Sequence, residues 1–427
     1  MAKWRKLLYF TPLIFIVCLV FFLNLFFVIN CEKKTEFENL PRIELYSEGL
    51  TIEQIYKNGK TETYDATVYF PDDGLYQEIE LKGRGNSTFR PDKMPFQIKF
   101  TKKTDLFGMG KAKKWILLAN YYDSTEIRNA VAFYLERLLG ETYALNGKYV
   151  ELYFNDENHG LYYLTPKIEI AKNRVDLRDP LGVIAEFDTY HNANKLCFKT
   201  KTGGCLTISD SVSKDNQDRA MEGLMKTYDA AVMAAKSGDF PKVSKLIDIE
   251  SFAIYYLLSE FTVDPDAYAT SFYLYKDGDN DKLHAGPGWD YDYAFGNRRW
   301  KAAIEEDFFS PNNKQFQRHW VFDRFEYYDQ TSNSIKTNIP HDLFSKLLYY
   351  LIDMPEFLSE VKIIYRDRMM GKGEEIINYI KSISSEIKDY CLYDNSRLDF
   401  NDYFSDLFAL IDWINLRFEH FDHEYGY

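Results

Sequence analysis

The chain has 427 residues, 46% of them hydrophobic and 27% charged, enough apolar material to bury a sizeable core and to exclude wholesale disorder. Aromatics are abundant at 17%, with 34 Tyr and 33 Phe. The net charge of −13 argues against general nucleic-acid binding, which needs a basic footprint, while leaving room for a local basic patch that meets phosphate.

At the N-terminus, Lys3, Arg5 and Lys6 precede an apolar run from Leu7 to Ile29, broken mainly by Thr11, Pro12 and Asn24. The run matches the ~20 residues that span a bilayer, and basic residues before it would stay in the cytoplasm. Cys31 follows directly in "FVINC". Two readings are open for residues 1–31: a lipoprotein-type signal with a lipid-modified Cys31, or an uncleaved signal anchor. Either way the rest of the chain is expected outside the cytoplasm, tethered to the membrane after a linker at 32–42.

From Ile43 to Phe100 the pattern predicts strands. "ATVYF", "YQEIELKGRG" and "PFQIKF" are apolar or alternate with period two, and "PDDG" is a turn. "KKWILLANYYD" reads as a buried strand, followed by a helix from Ser124 to Leu139 capped by Ser124 or Thr125. "YVELYFNDENHGLYYLTPKIEI" is a hairpin turning at Asn155–Gly160, and "GVIAEFD" a further strand. Cys197 and Cys205 flank "FKTKTGG", whose Gly203-Gly204 pair suits a hairpin turn. A disulfide there fits an oxidising compartment and leaves Cys391 over. With only seven His, no Cys/His spacing resembles a zinc site.

The segment from Ser213 to Lys236 predicts an amphipathic helix, and Ile249 to Phe261 a helix apolar on most sides and therefore buried. "SFYLYKDGDNDKLHAGPGWDYD" predicts a hairpin with its turn at Asp277–Asp281, and the residues after Pro340 read as mostly helical. The expected architecture is α+β and two-lobed, with a strand-rich lobe at 43–208, a helix-rich lobe at 209–427 and a cleft between them.

Four stretches carry chemistry. In "LKGRGNSTFRPDKMPFQIKF", Gly83 and Gly85 let backbone approach a ligand closely. Arg84, Asn86, Ser87 and Thr88 add donors, and Lys99 on the next strand supplies charge; the same residues also suit a plain hairpin turn. In "KKWILLANYYDSTEIRN", Arg128 on the first turns of the helix is able to clamp phosphate or to pair with a carboxylate across the cleft, or is a surface arginine. Lys167 and Glu169 in "YLTPKIEI" reach a nucleotide or pair with each other. In "EFTVDPDAYATSFYLYKD", Asp266 is a candidate base and Ser271 a metal-supporting hydroxyl, with Asx-turn chemistry around Pro265 as the plainer account. In "GPGWDYDYAFGN", Asp290 and Asp292 either cap a turn or hold a cation, and are expected on one side of a departing strand. Two neighbouring carboxylates repel unless a cation joins them, and Mg²⁺ is the hard, oxygen-liganded ion that shares carboxylates with phosphates.

These blocks, with "RVDL" and in this order from Ile43 to Asn297, resemble the CotH family of spore-coat-type atypical protein kinases. The resemblance implies a minimised kinase-like fold that binds ATP with Mg²⁺ (Mn²⁺ as a substitute) and phosphorylates proteins, chiefly on serine. It implies that Gly83, Arg84, Gly85, Asn86 and Ser87 cover the phosphates and that Lys99 contacts them. It assigns Asp266 as the catalytic aspartate and Asp290 as the metal ligand supported by Asp292. Asp264 stands where the family more usually has Asn, and Pro166 replaces the usual Glu of the "EKIE" block that includes Lys167 and Glu169. The implied partner is a Ser-rich protein substrate. A surface adhesin or pseudokinase scaffold of the same fold, and a carbohydrate-active protein using an acid pair, are the competing readings.

Overall fold

The computed structural model describes residues 40–188, 196–202, 204–264, 266–268, 270–297, 327–329, 334–336, 345–400 and 402–426. The apolar N-terminal run and Cys31 lie outside them. Among the described residues no helix is long and apolar enough to cross a membrane.

Seven strands close into a barrel: β1 (Arg42–Tyr46), β2 (Tyr64–Phe70), β3 (Leu75–Gly83), β4 (Phe96–Asp105), β5 (Lys111–Leu118), β6 (Lys148–Phe154) and β7 (Glu157–Pro166). Their order is β1-β2-β3-β4-β5-β7-β6, and parallel pairing of β1 with β6 completes the ring. Period-two alternation sends Ala66, Val68 and Phe70 of β2 inward, and Phe96, Ile98 and Phe100 of β4, as expected for strands with one dry face. The intervening β4 residues Gln97 and Lys99 face out. A short helix, α1 (Ile52–Asn58), packs Ile52 and Ile55 against the barrel core behind a Thr51–Gln54 capping box.

A second sheet has the order β12-β11-β8-β10-β9. Its strands are β8 (Gly182–Asp188), β9 (Phe198–Lys199), β10 (Cys205–Ser211), β11 (Thr270–Asp277) and β12 (His284–Ala285). Thus β8, grouped by sequence with the N-terminal strands, is hydrogen-bonded to β11 from the C-terminal half, and β10 and β9 extend the same sheet beyond it. Cys197 and Cys205 are disulfide-bonded across the β9–β10 hairpin, and Cys391 is free and buried. A small hairpin pairs β13 (Tyr327–Asp329) with β14 (Ser334–Lys336).

Helix α2 (Arg128–Leu139) follows β5; α3 (Gln217–Lys236), α4 (Phe240–Leu246) and α5 (Ile249–Thr262) precede β11. The C-terminal part supplies α6 (Lys346–Leu351), α7 (Pro355–Ile364), a π-helical turn (Tyr365–Met369), α8 (Gly373–Arg397) and α9 (Tyr403–Tyr425). Helix α5 is buried from Ser251 to Thr262, in keeping with its apolar circumference. On the second sheet, Phe272 stacks on Phe187 and Tyr255, and Phe187 meets Tyr228 of α3. One sheet face is therefore sealed by α3 and α5, and Tyr273 and Tyr275 point to the other.

The start of α2 differs from expectation. The chain turns through Asn120–Ile127, and the carboxylate of Asp123, not Ser124 or Thr125, accepts the N–H groups of Thr125 (3.0 Å) and Arg128 (2.9 Å). Glu126 has φ 57° and Asn120 φ 47°, conformations with no strong periodic signature.

Candidate active site

The acid loop, residues 286–297, is fastened from three sides. From α2, Glu136 accepts the Gly288 N–H (2.5 Å) and the Asn129 side-chain oxygen accepts the Tyr291 N–H (2.8 Å). From the end of α5, the Thr262 carbonyl accepts the Phe295 N–H at 2.7 Å. From the β5–α2 connection, the Asn297 amide donates to the Tyr122 carbonyl (2.9 Å) and back to the Asp292 carbonyl (2.6 Å). Helix α9 supports α5 in turn: the Trp413 indole donates to the Phe261 carbonyl (3.2 Å), and buried Arg417 donates to the Glu260 carbonyl.

Asp264 and Asp266 emerge just beyond α5. Asp264 is buried and accepts the Asp266 N–H at 3.0 Å, the Asx turn that Pro265 suggested. Asp266 is half-buried. Ser271 sits at a register shift between β11 and β8 with φ 53°, and its hydroxyl donates to Asp290 at 3.4 Å. Asp290 has φ 71°, so Asp290 and Asp292 do not alternate along a strand as the sequence suggested. Of the eleven non-glycine residues with positive φ among the described residues, five fall here: Val263, Tyr268, Ser271, Asp290 and Phe295. Each such residue costs roughly 1–3 kcal/mol, and such strain gathers at functional sites.

The electrostatics converge on Asp292. Burial pushes its carboxyl well above the usual range, and the negative charges of Asp290, Asp266, Asp123 and Asp264 push it further. Asp290 is also raised by burial, with Arg84 and the Ser271 hydroxyl pulling the other way. The three acids nominated from sequence, Asp266, Asp290 and Asp292, therefore share one electrostatic neighbourhood, and Asp264 joins them.

Opposite them stands the turn after β3. The Arg84 guanidinium lies over the Trp289 ring at 5.3 Å from its centroid, and its positive charge opposes the upward shift of Asp290. Gly83 is packed so closely that a Cβ would meet Phe89 at 2.7 Å and Met94 at 2.9 Å. Gly85 has φ 101°, a conformation that favours glycine, and a Cβ there would meet the Thr88 hydroxyl at 2.3 Å. Asn86 and the Gly85 carbonyl are held by Lys60, the latter at 3.0 Å. The Ser87 carbonyl accepts from the Tyr122 hydroxyl at 3.0 Å.

Lys167 joins this side. Burial lowers its ammonium to about 8, with Lys114 and Arg84 as the next contributors. Glu169 is buried and pairs with Lys114 at 3.3 Å, a partner that neither reading of the Lys167–Glu169 stretch named. Two nominated cations stand elsewhere. Lys99 pairs with Glu80, directly opposite on β3, at 2.8 Å on the exposed outer face of the barrel. Arg128 is fully buried and forms an ion pair with Asp123, because a carboxylate sealed in the interior needs a neutralising partner. Lys114, Asn129, Glu136 and Tyr122 were not singled out from sequence. Asn129 and Tyr122 lie inside the quoted "KKWILLANYYDSTEIRN", but nothing local says that they reach a loop about 170 residues away.

Among the described residues, no three His, Cys, Asp or Glu side chains stand close enough to cage a metal alone. Mg²⁺ does not require that, since it commonly takes one or two carboxylates and completes its shell with phosphate oxygens and water. The donor set here is hard oxygen throughout, and the burial that raises Asp290 and the burial and repulsion that raise Asp292 are what a cation offsets. The residues fit the ion.

The family described as CotH kinase protein matches residues 81–421. The chain belongs to the CotH kinase family. The match starts at the last residues of β3, before the Arg84 turn, and runs through the acid loop into α9. No curated protein matches the chain. Among solved structures, the crystal structure of a Helicobacter pylori proinflammatory kinase CtkA aligns with 76% of this chain and 95% of its own, at 10% identity and a TM-score of 0.23. A likeness that loose carries no argument about the candidate site.

Proposed function

We propose that this CotH-family protein is an exported, membrane-tethered protein kinase that transfers the γ-phosphate of ATP to serine or threonine of a protein acceptor. The observation that carries the reading is the placement of Arg84, on a glycine-bearing turn, against Asp290 and Trp289, with Asp264, Asp266 and Asp292 in the same electrostatic neighbourhood.

In this reading Gly83 to Ser87 present backbone and Arg84 to the phosphates, while Lys167 and Lys114 add positive charge beside them. Asp290, Asp292 and Ser271 would hold Mg²⁺, which when bound neutralises phosphate charge and orients the transferring group. Asp266 accepts a hydrogen bond from the acceptor hydroxyl and takes its proton as attack proceeds. Asp264 fixes Asp266 through its backbone N–H. The donors around the transferring group are preorganised, and such electrostatic positioning is worth several kcal/mol of barrier. The location follows from the basic-then-apolar N-terminus, which supports a tether through a signal anchor or Cys31.

The test is transfer of label from γ-labelled ATP with Mg²⁺ or Mn²⁺, to the protein itself or to a Ser-rich acceptor. Wild type is expected to incorporate label. Asp266→Asn and Asp290→Asn are each expected to lose at least about 100-fold. Absence of transfer by the wild type, with nucleotide still bound, would favour the pseudokinase scaffold.

A further inference from the structure

Tyr122 joins two segments that the reaction would need to hold at a set distance. Its hydroxyl donates to the Ser87 carbonyl, on the turn that carries Arg84, at 3.0 Å. Its ring stacks on Tyr293 of the acid loop at 5.0 Å between centroids and 25° between planes. Its carbonyl receives the Asn297 amide that also bonds the Asp292 carbonyl. Burial raises the Tyr293 phenol, and the Ser87 and Tyr122 side chains bear on it as well. Neither ring is part of the barrel core, and both are partly exposed. The contact therefore contributes little to the interior and spans three separate chain segments.

We propose that Tyr122 is a positioning residue, which with Tyr293 latches the glycine-bearing turn to the acid loop and so sets the gap in which the nucleotide phosphates sit. The physical link is the peptide after Ser87. A trans peptide holds C=O and N–H in opposite directions, so fixing the Ser87 carbonyl also fixes the aim of the Thr88 N–H. Backbone N–H direction is what a turn of this kind offers to phosphate oxygens. The stack then couples that direction to Asp292 through Tyr293, one residue away.

This inference rests on the ATP-binding reading, and the experiment separates the two. Binding of a non-hydrolysable ATP analogue with Mg²⁺ is measured by calorimetry for the wild type, Tyr122→Phe, Tyr293→Phe and the double variant, with melting temperatures recorded alongside. Tyr122→Phe keeps the stack and removes the Ser87 bond; it is expected to weaken nucleotide binding about fivefold while melting close to wild type. In turnover it raises KM for ATP and leaves KM for the protein acceptor unchanged, a split that a merely structural role does not produce. Because both tyrosines act through one latch, the double variant is expected to lose little more than either single variant. Wild-type binding with unaltered affinity in Tyr122→Phe, or losses that multiply in the double variant, overturns the latch alone. No binding by the wild type overturns the nucleotide reading and the latch with it.

Discussion

Glu136 and Glu141 show how residue-scale electrostatics bear on stability. Glu136 is buried with one carboxylate oxygen bonded to the Gly288 N–H and the other without a partner among the described residues. Burial, then the charge of Glu141, pushes its carboxyl up to about 8. Glu141 is raised by burial to about 7; it borders a cavity of about 640 Å³ that also exposes Asp176, Asp248, Asp277 and Asp281. The sign follows from proton counting. Both folded values lie above the unfolded 4.5, so between pH 4.5 and about 8 the folded state holds protons that the unfolded state has released. Stability therefore falls as pH rises through that window, by up to about 1.4 kcal/mol per pH unit for each group. Glu136→Gln is expected to flatten the decline, with its greatest gain over wild type near pH 8 and almost none near pH 5. Thermal melts from pH 5 to 9 check this, and parallel profiles for the two proteins would contradict it.

At the scale of elements, the fixed points are buried ion pairs. Lys93, at the entry to β4, meets Glu126 at 2.7 Å and Asp394 at 2.8 Å with its side chain 1% exposed. Asp394 also accepts the Leu161 N–H (2.8 Å) and pairs with Arg397 (3.2 Å). One lysine thus binds the barrel, the approach to α2 and helix α8 together. Removing it leaves the buried Glu126 without its cation and Asp394 with Arg397 alone, and breaking a buried pair costs roughly 3–5 kcal/mol. Lys93→Met is expected to lower stability by about that amount in urea unfolding, against less than about 1 kcal/mol for Lys99→Met, whose pairing with Glu80 is exposed. Equal effects of the two substitutions would refute this ranking. The contrast also marks where sequence reading stops. Lys93 and Lys99 are both lysines within one quoted block, and only burial separates the interior clamp from the surface pair. Arg128 is the same lesson with its sign reversed: a cation nominated for phosphate is already neutralised by Asp123, five residues earlier.

Across the whole molecule, local signals carried far. Alternation in β2 and β4, the apolar circumference of α5, the β6–β7 hairpin and the disulfide-linked β9–β10 hairpin were all legible, because each depends on neighbours in sequence. The barrel was not. Its closure is a parallel contact between β1 and β6, about 100 residues apart, and neither strand advertises its partner. The membership of β8 in the sheet with β11 was hidden for the same reason. The site was half legible. Gly83, Arg84, Asp266, Ser271, Asp290 and Asp292 stood out by chemistry, whereas Asn129, Glu136 and Tyr122 act by reaching the acid loop from other elements. The strand alternation expected of Asp290 and Asp292 was replaced by a left-handed Asp290, and both carboxylates still share one neighbourhood because α2 and α5 pin the loop around them.

The central claim is that the Arg84 turn and the acid loop together grip a metal–nucleotide. It is tested most directly by a crystal structure of the protein with Mg²⁺ and a non-hydrolysable ATP analogue. The account predicts an ion contacting Asp290 and Asp292, with phosphates beneath Gly83 to Ser87 and Asp266 facing the terminal one. A nucleotide bound away from Arg84, or an ion that ignores both carboxylates, would contradict it.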